Sequence, residues 1–246
     1  HTFLNDHIIE GAPVLPAAMA MEMMAQAAIM AVPGYKFSGY KDLRLFKGIL
    51  LEDGAPVNIQ ITAEKQKVSG SNSAEVKTVI SMAGKSGYNI NYKATILLGD
   101  HEESADLTFE RLNGIKPFKI SVEQAYNTRL FHNGVFCNIK SIEGLELDND
   151  KERGIKGIIK PSHPEEMIQG GKLKKWLIDP VAFDCAYQMA LLWTQEYCEM
   201  MALPSDIEKY ISCMPYNGGE IFCEVHVNKL SMPRLLMDFI FLDEKG

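Results

Sequence analysis

The sequence predicts an α+β fold of two similar units, each a long buried helix followed by antiparallel strands. Three observations lead there. Two helical stretches, about 16–31 and about 179–201, are apolar nearly all round, and such helices belong inside a fold. Short runs with strand-like alternation, broken by turn residues, follow each helix. A polar stretch at 99–119, carrying Asp100, Glu102, Glu103 and Asp106, separates the two sets. The chain therefore divides into an N-terminal unit at 1–100, a linker at 101–119 and a C-terminal unit at 120–246.

Bulk composition agrees. A chain of 246 residues suffices for one large domain or two fused small ones. Hydrophobic residues at 46% and charged residues at 23% are ordinary for a globular protein. A net charge of −7 argues against binding nucleic acid or an anionic membrane surface. The longest apolar run lies between Pro16 and Pro33, and Glu22 and Gln26 interrupt it. It fits neither a membrane span nor a signal peptide, since no basic region precedes it. The five cysteines are odd in number and form no C-x-x-C pair, so they read as reduced thiols of a cytoplasmic protein. His101, His163 and His226 show no metal-ligand spacing, and no metal is expected. Beginning at His1, the chain reads as a domain of a longer polypeptide.

Taken in order, residues 1–16 lead into the first helix, with Pro16 suited to its first turn and Pro33-Gly34 stopping it. Methionines at 19, 21, 23, 24 and 30 read as core filler. Strands are expected near 43–50, 56–68, 74–84 and 88–98. Ser121 and Gln124 fit a capping box for a short helix to about 131. Strands near 136–147 and 154–160 come next, then a loop at 161–175. Asp179-Pro180 opens the second long helix, a cap residue before proline at the first helical position. Leu203-Pro204 ends it, and strands near 208–214, 219–229 and 233–242 finish the chain.

Candidate chemistry sits at the two helices. His7 to Pro16 reads H-x-x-x-G-x-x-x-x-P and presents an imidazole just ahead of a buried helix. The second helix is apolar inside except at Asp184 and Gln188, which are four apart and share a face. Burial disfavours the charged form of a carboxyl, and a neutral acid can donate a proton. A neutral imidazole can accept one. A base and an acid facing each other across two units suit loss of water: one removes a proton alpha to a carbonyl, the other protonates the departing beta hydroxyl. Gly11 lets backbone approach closely and can offer its N–H to the carbonyl oxygen. Cys185 turns away from Asp184 on the helix and reads as a small apolar group.

The pairing of H-x-x-x-G-x-x-x-x-P at His7–Pro16 with D-x-x-x-Q at Asp184–Gln188 resembles the dehydratase domain of type I polyketide synthases. His1-Thr2-Phe3-Leu4-Asn5-Asp6-His7 is similar to the family's H-P-F-L-x-D-H, and Leu203-Pro204 matches an L-P after the second helix. The run Pro16–Gln26 is most similar to the iterative and polyunsaturated-fatty-acid-type synthases. The resemblance implies a double hotdog fold, two long buried helices each wrapped by an antiparallel sheet. It implies a 3-hydroxyacyl-[acyl carrier protein] dehydratase with His7 as base, Asp184 as acid and Gln188 orienting the aspartate. No cofactor is implied. The implied partners are an acyl carrier protein with phosphopantetheine-linked substrate, neighbouring synthase domains and a second copy of the chain. The family's Y-G-P-x-F falls at His132-Asn133-Gly134-Val135-Phe136, where Phe136 matches and Gly134 is shifted by one. His132 and Phe136 are therefore candidates for substrate contact; His132 also reads as a second acid–base group, and a structural or mouth-lining role is favoured for it. Residues 151–175 hold seven basic and three acidic residues, a local net of +4, and could dock an acidic carrier protein or simply be solvated. Two other readings stay open on the same fold: a double-bond isomerase or product-template-like domain, and a non-catalytic scaffold for carrier-protein docking.

Overall fold

In the computed structural model of the protein the described residues are all but 52–54, 67–71, 85–86, 101–108, 113–115, 149–151, 214–217 and 232–233. A 3-10 turn at Thr2–Asp6 runs into a small hairpin, β1 (Ile8–Ile9) and β2 (Ala12–Pro13). Its two-residue tip is Glu10-Gly11, with φ of 51° and 84°. A two-residue hairpin turn that follows strand twist needs positive φ at both positions, which glycine adopts without strain. The first long helix, α1, spans Ala17–Ala31. Pro16 sits one position earlier than expected, as the N-cap with ψ of 138°, so it fixes the approach to the helix rather than its first turn. Met19, Met21 and Met24 are buried as core filler and Met23 packs partly against the core, but Met30 is 80% exposed at the helix end.

Four strands follow: β3 (Phe37–Leu45), β4 (Ile59–Lys65), β5 (Ser73–Gly84) and β6 (Gly87–Gly99). The strand expected near 43–50 thus begins at residue 37. Irregular pairing at Phe37/Gly39 and Lys41/Arg44, with Asp42 at φ 52°, breaks the alternation that would reveal it. The second set opens with α2 (Val122–Thr128), capped as expected by the reciprocal Ser121–Gln124 hydrogen bonds of 3.1 and 2.9 Å. Then come β7 (Ile139–Asp148), β8 (Glu152–Ile159), a short helix α3 (Pro164–Met167) within the expected loop, and α4 (Pro180–Cys198). β9 (Asp206–Ile211), β10 (Ile221–Ser231) and β11 (Arg234–Leu242) close the chain. α4 stops three residues short of the expected Met201, because Glu199 turns left-handed at φ 51° before Pro204 is reached.

Two antiparallel sheets result, ordered β4-β5-β6-β3-β9 and β11-β10-β8-β7. α1 packs on the first, α4 on the second, and the two helices pack on each other. This is the α+β double hotdog. One strand crosses between units. β9, late in the sequence, pairs with β3 rather than with the second sheet, so the sheets do not divide at the linker. The crossing needs Gly39, where a Cβ would lie 2.1 Å from the carbonyl oxygen of Tyr210. The described part of the linker is also fastened. Arg111 and the Leu112 amide bind the buried Glu224 carboxylate of β10 at 2.6 and 2.9 Å. Glu102, Glu103 and Asp106 lie outside the described residues.

The start of α4 is held by one carboxylate. Asp179 Oδ1 accepts from the amides of Val181 and Ala182 at 2.9 and 3.1 Å, and from the Ser162 hydroxyl at 2.7 Å. Asp179 Oδ2 accepts from the Ser162 amide at 2.6 Å, and Trp176 Nε1 donates to the same hydroxyl. Asp179→Ala removes a cap and strands several buried donors. It should cost about 2 kcal/mol or more. A urea midpoint equal to that of the parent protein would contradict this account of the cap.

Candidate active site

His7 is set by its own backbone neighbours. The Val14 amide donates to the His7 carbonyl at 3.0 Å, and His7 Nδ1 lies 3.1 Å from the Val14 carbonyl oxygen. A carbonyl only accepts, so Nδ1 carries the hydrogen and Nε2 presents its lone pair. The ring is 6% exposed, walled by Phe131, His132 and Phe136 at centroid distances of 5.3, 5.2 and 5.6 Å.

Asp184 and Gln188 lie one turn apart on α4 and are almost fully buried. Every polar end of Gln188 is engaged. Its Nε2 donates to Asp184 Oδ2 at 2.8 Å and to the Phe136 carbonyl at 2.9 Å, while its Oε1 accepts from the Tyr126 hydroxyl at 3.0 Å. That hydroxyl in turn accepts from the Ile139 amide, and burial pushes its acidity far below that of a free tyrosine. With the amide pinned at both ends, Asp184 has one orientation. Its Oδ1 then lies 3.7 Å from His7 Nε2. The two motif residues thus meet side chain to side chain across the junction of α4 with the N-terminal segment.

His132 stands closer to the chemistry than a mouth-lining residue would. Its Nε2 is 3.2 Å from Asp184 Oδ2, the ring is buried, and its backbone forms an isolated antiparallel bridge with His7. Burial, and secondarily His7, lower its pKa to about 4 although the Asp184 charge works in the opposite direction. Near neutral pH the ring is therefore neutral. Its Nε2–H donates to Asp184, since Nδ1 has no hydrogen-bond partner. No pattern around residue 132 signals this; the strap that carries it is irregular and runs against the N-terminal turn.

Asp6 explains the glycine of that strap. It accepts from the Asn133 amide through its carbonyl at 2.9 Å and from the Val135 amide through Oδ2 at 3.2 Å. Gly134 lies against the same carboxylate at φ 50°, and a Cβ there would sit 2.4 Å from Asp6 Cγ. Glycine is needed one position later than in the family motif because the carboxylate occupies the side-chain space at 134. Phe136 is fully buried and supplies the carbonyl that holds Gln188. Pro16 is buried at the helix start, and Gly11 is exposed in the hairpin tip. Cys185 packs inward with its thiol 3.7 Å from the Phe136 carbonyl, and burial pushes that thiol well above the usual range. His163 caps α3, and His226 pairs with Glu224 at 3.2 Å. His101 lies outside the described residues.

In the sequence Glu22 shows only as an interruption of an apolar run. It is 2% exposed, and its oxygens accept from the amides of Leu177 and Ile178 at 2.9–3.2 Å and from Gln26 at 2.7 Å. A carboxylate of α1 thereby grips the segment immediately before the Asp179 cap of α4.

Residues 1–79 match the family model of the polyketide synthase dehydratase domain. The resemblance read from the sequence holds. The chain is 25% identical over 225 residues to a polyunsaturated fatty acid synthase subunit of Thraustochytrium sp., covering 87% of this chain. It spans 7% of that relative's length. Two solved structures share the fold. The dehydratase domain from the CurF module of curacin polyketide synthase is 14% identical with a TM-score of 0.72, covering 100% of this chain and 84% of that one. An enoyl-isomerase of a trans-acyltransferase polyketide synthase is 16% identical with a TM-score of 0.65, covering 100% and 90%. The fold is thus shared by dehydratases and an isomerase, and the chemistry rests on the residues at the junction.

Because Glu22 joins the two halves of the site, Glu22→Ala should lower thermal stability by about 2–3 kcal/mol, the cost of stranding buried amides. Glu22→Gln, which keeps one acceptor oxygen, should recover part of it. Equal melting temperatures for the parent protein and Glu22→Ala would refute the staple.

Proposed function

We propose that this protein dehydrates a β-hydroxyacyl thioester carried on an acyl carrier protein, giving the α,β-unsaturated thioester and water. The observation that carries the reading is the 3.7 Å approach of His7 Nε2 to Asp184 Oδ1, a base and an acid from different units in one buried site. His7 Nε2 takes the proton from the α carbon. The C–H electron pair becomes the new double bond, and the β C–O bond breaks with its pair on oxygen. Asp184 passes its proton to that oxygen, and water leaves. Proton return from the His7 imidazolium to the Asp184 carboxylate resets the pair. In this reading the Gly11 N–H holds the thioester oxygen as charge develops there.

Gln188 and His132 are positioning residues here. Both donate to Asp184 Oδ2, at 2.8 and 3.2 Å, so the transferable proton is directed to Oδ1, the side of His7. The substrate reaches the site on a carrier protein, and the exposed Lys160, Lys172, Lys174 and Lys175 supply a cationic face for an acidic partner. Lys156 is occupied by Glu143 at 3.3 Å, and Lys151 lies outside the described residues. In the same reading the protein is one domain of a larger, cytoplasmic synthase. Among the described residues no helix is long and apolar enough to cross a membrane.

His7→Ala should abolish turnover of a 3-hydroxyacyl thioester. Asp184→Asn should lower it by about 10²–10⁴-fold, the usual contribution of a general acid, with the fold intact by circular dichroism. Mass spectrometry separates the readings, since dehydration loses the mass of one water and isomerisation loses nothing. Parent-like turnover in both variants would sink the acid–base assignment, and no turnover in the parent would favour the scaffold reading. His132→Ala should reduce kcat with little change in KM, because the ring acts through Asp184. His132→Gln, which restores a donor, should recover part of kcat. An effect confined to KM would instead make His132 a substrate contact.

A further inference from the structure

The side chains that meet at the junction are also a convergent set of metal-ligand donors. His7, His132 and Asp184 each offer one ligand atom, and these atoms lie within 4.8 Å of one another. Both imidazoles face the carboxylate through Nε2, at 3.7 and 3.2 Å, and each approaches a different oxygen. Zinc bonds of about 2.0–2.2 Å to nitrogen and oxygen place tetrahedral ligand atoms roughly 3.3–3.6 Å apart. Small side-chain shifts therefore close the set around an ion. Two histidines and a carboxylate, with a position left open, match zinc sites that keep an exchangeable ligand. Imidazole nitrogen also selects zinc-like transition metals over magnesium or calcium, which prefer all-oxygen sites.

The surroundings suit ligation. The Val14 carbonyl holds the His7 Nδ1 hydrogen and aims the Nε2 lone pair inward, the arrangement that orients ligating imidazoles. Gln188 holds the carboxylate in the same way. For His132 to ligate through Nε2, its hydrogen moves to Nδ1. An ion bound here uses the His7 lone pair that would otherwise receive the α-proton.

We propose that His7, His132 and Asp184 form a divalent transition-metal site, best suited to zinc, whose occupation inhibits the acid–base pair. The inhibitory part rests on the dehydratase reading; the binding part does not. The test is cobalt titration of the metal-free protein followed by visible absorption, with zinc as competitor. Expected is one equivalent bound with nitrogen–oxygen ligand-field bands, displaced by zinc. Affinity should fall at least about 100-fold in His132→Ala, more than the cost of losing an outer-shell partner. His132→Gln, which keeps bulk but is a poor ligand, repeats the test should alanine unfold the protein. Sulfur-to-cobalt charge-transfer bands would assign the metal to thiols such as the exposed Cys213 and overturn the proposal. Affinity unchanged in both His132 variants would also overturn it. Zinc should stop turnover of a 3-hydroxyacyl thioester and a chelator should restore it. Tight cobalt binding without turnover by the metal-free protein would uphold the site and sink the dehydratase reading. Turnover unaffected by bound zinc would overturn the inhibitory role.

Discussion

Gln188 holds Asp184 by one oxygen, and the architecture of the junction follows from that hydrogen bond. The amide is fixed by Tyr126 on its oxygen and by the Phe136 carbonyl on its nitrogen, so it cannot turn away from the carboxylate. A buried carboxyl without partners would cost several kcal/mol. Here one oxygen is satisfied by Gln188 and His132, and the other is left facing His7. The strap from Leu130 to Cys137 delivers two of those partners, Phe136 and His132. Asp6 and Gly134 seat that strap against the N-terminal turn.

Bringing His7 and Asp184 together demands that two helices of different units keep one relative position. Apolar packing of α1 against α4 supplies most of the adhesion but little direction, because the hydrophobic effect is non-directional. Direction comes from buried carboxylates. Glu22 ties α1 to the segment before α4, Asp179 sets the first turn of α4, and Glu224 holds the linker at Arg111 and Leu112. Each accepts backbone amides, Glu22 and Glu224 across more than a hundred positions, so each fixes the path of a segment that has no regular structure of its own. The metal-donor set at the junction is a by-product of the same constraint. Nitrogen and oxygen atoms held this close together are also near ligand distance from a common point.

Local pattern reveals what local physics governs. The caps at Ser121 and Asp179 are readable because a cap bonds within its own turn. The helices are readable from their apolar surfaces, and Asp184 and Gln188 because two polar side chains on a buried face stand out. The start of β3 is hidden by a bulge and a positive φ at Asp42, which spoil the period of two. β9 looks like part of the second unit, yet it pairs with β3, a choice made by a close backbone approach at Gly39. His132 resembles an ordinary loop histidine until the strap is folded over α4. Met30 follows the apolar spacing of its neighbours, but the helix end leaves it in solvent.

The sequence by itself determined the two buried helices, the strands that follow them, and the histidine and aspartate that are the candidate base and acid. Those depend on residue type and on spacing along one element. Tertiary structure alone decided that a second histidine joins the pair, that Glu22 ties α1 to the segment before α4, and that β9 belongs to the first sheet. These depend on which surfaces meet after burial. A contact between residues far apart in the chain leaves no period in the sequence at either end.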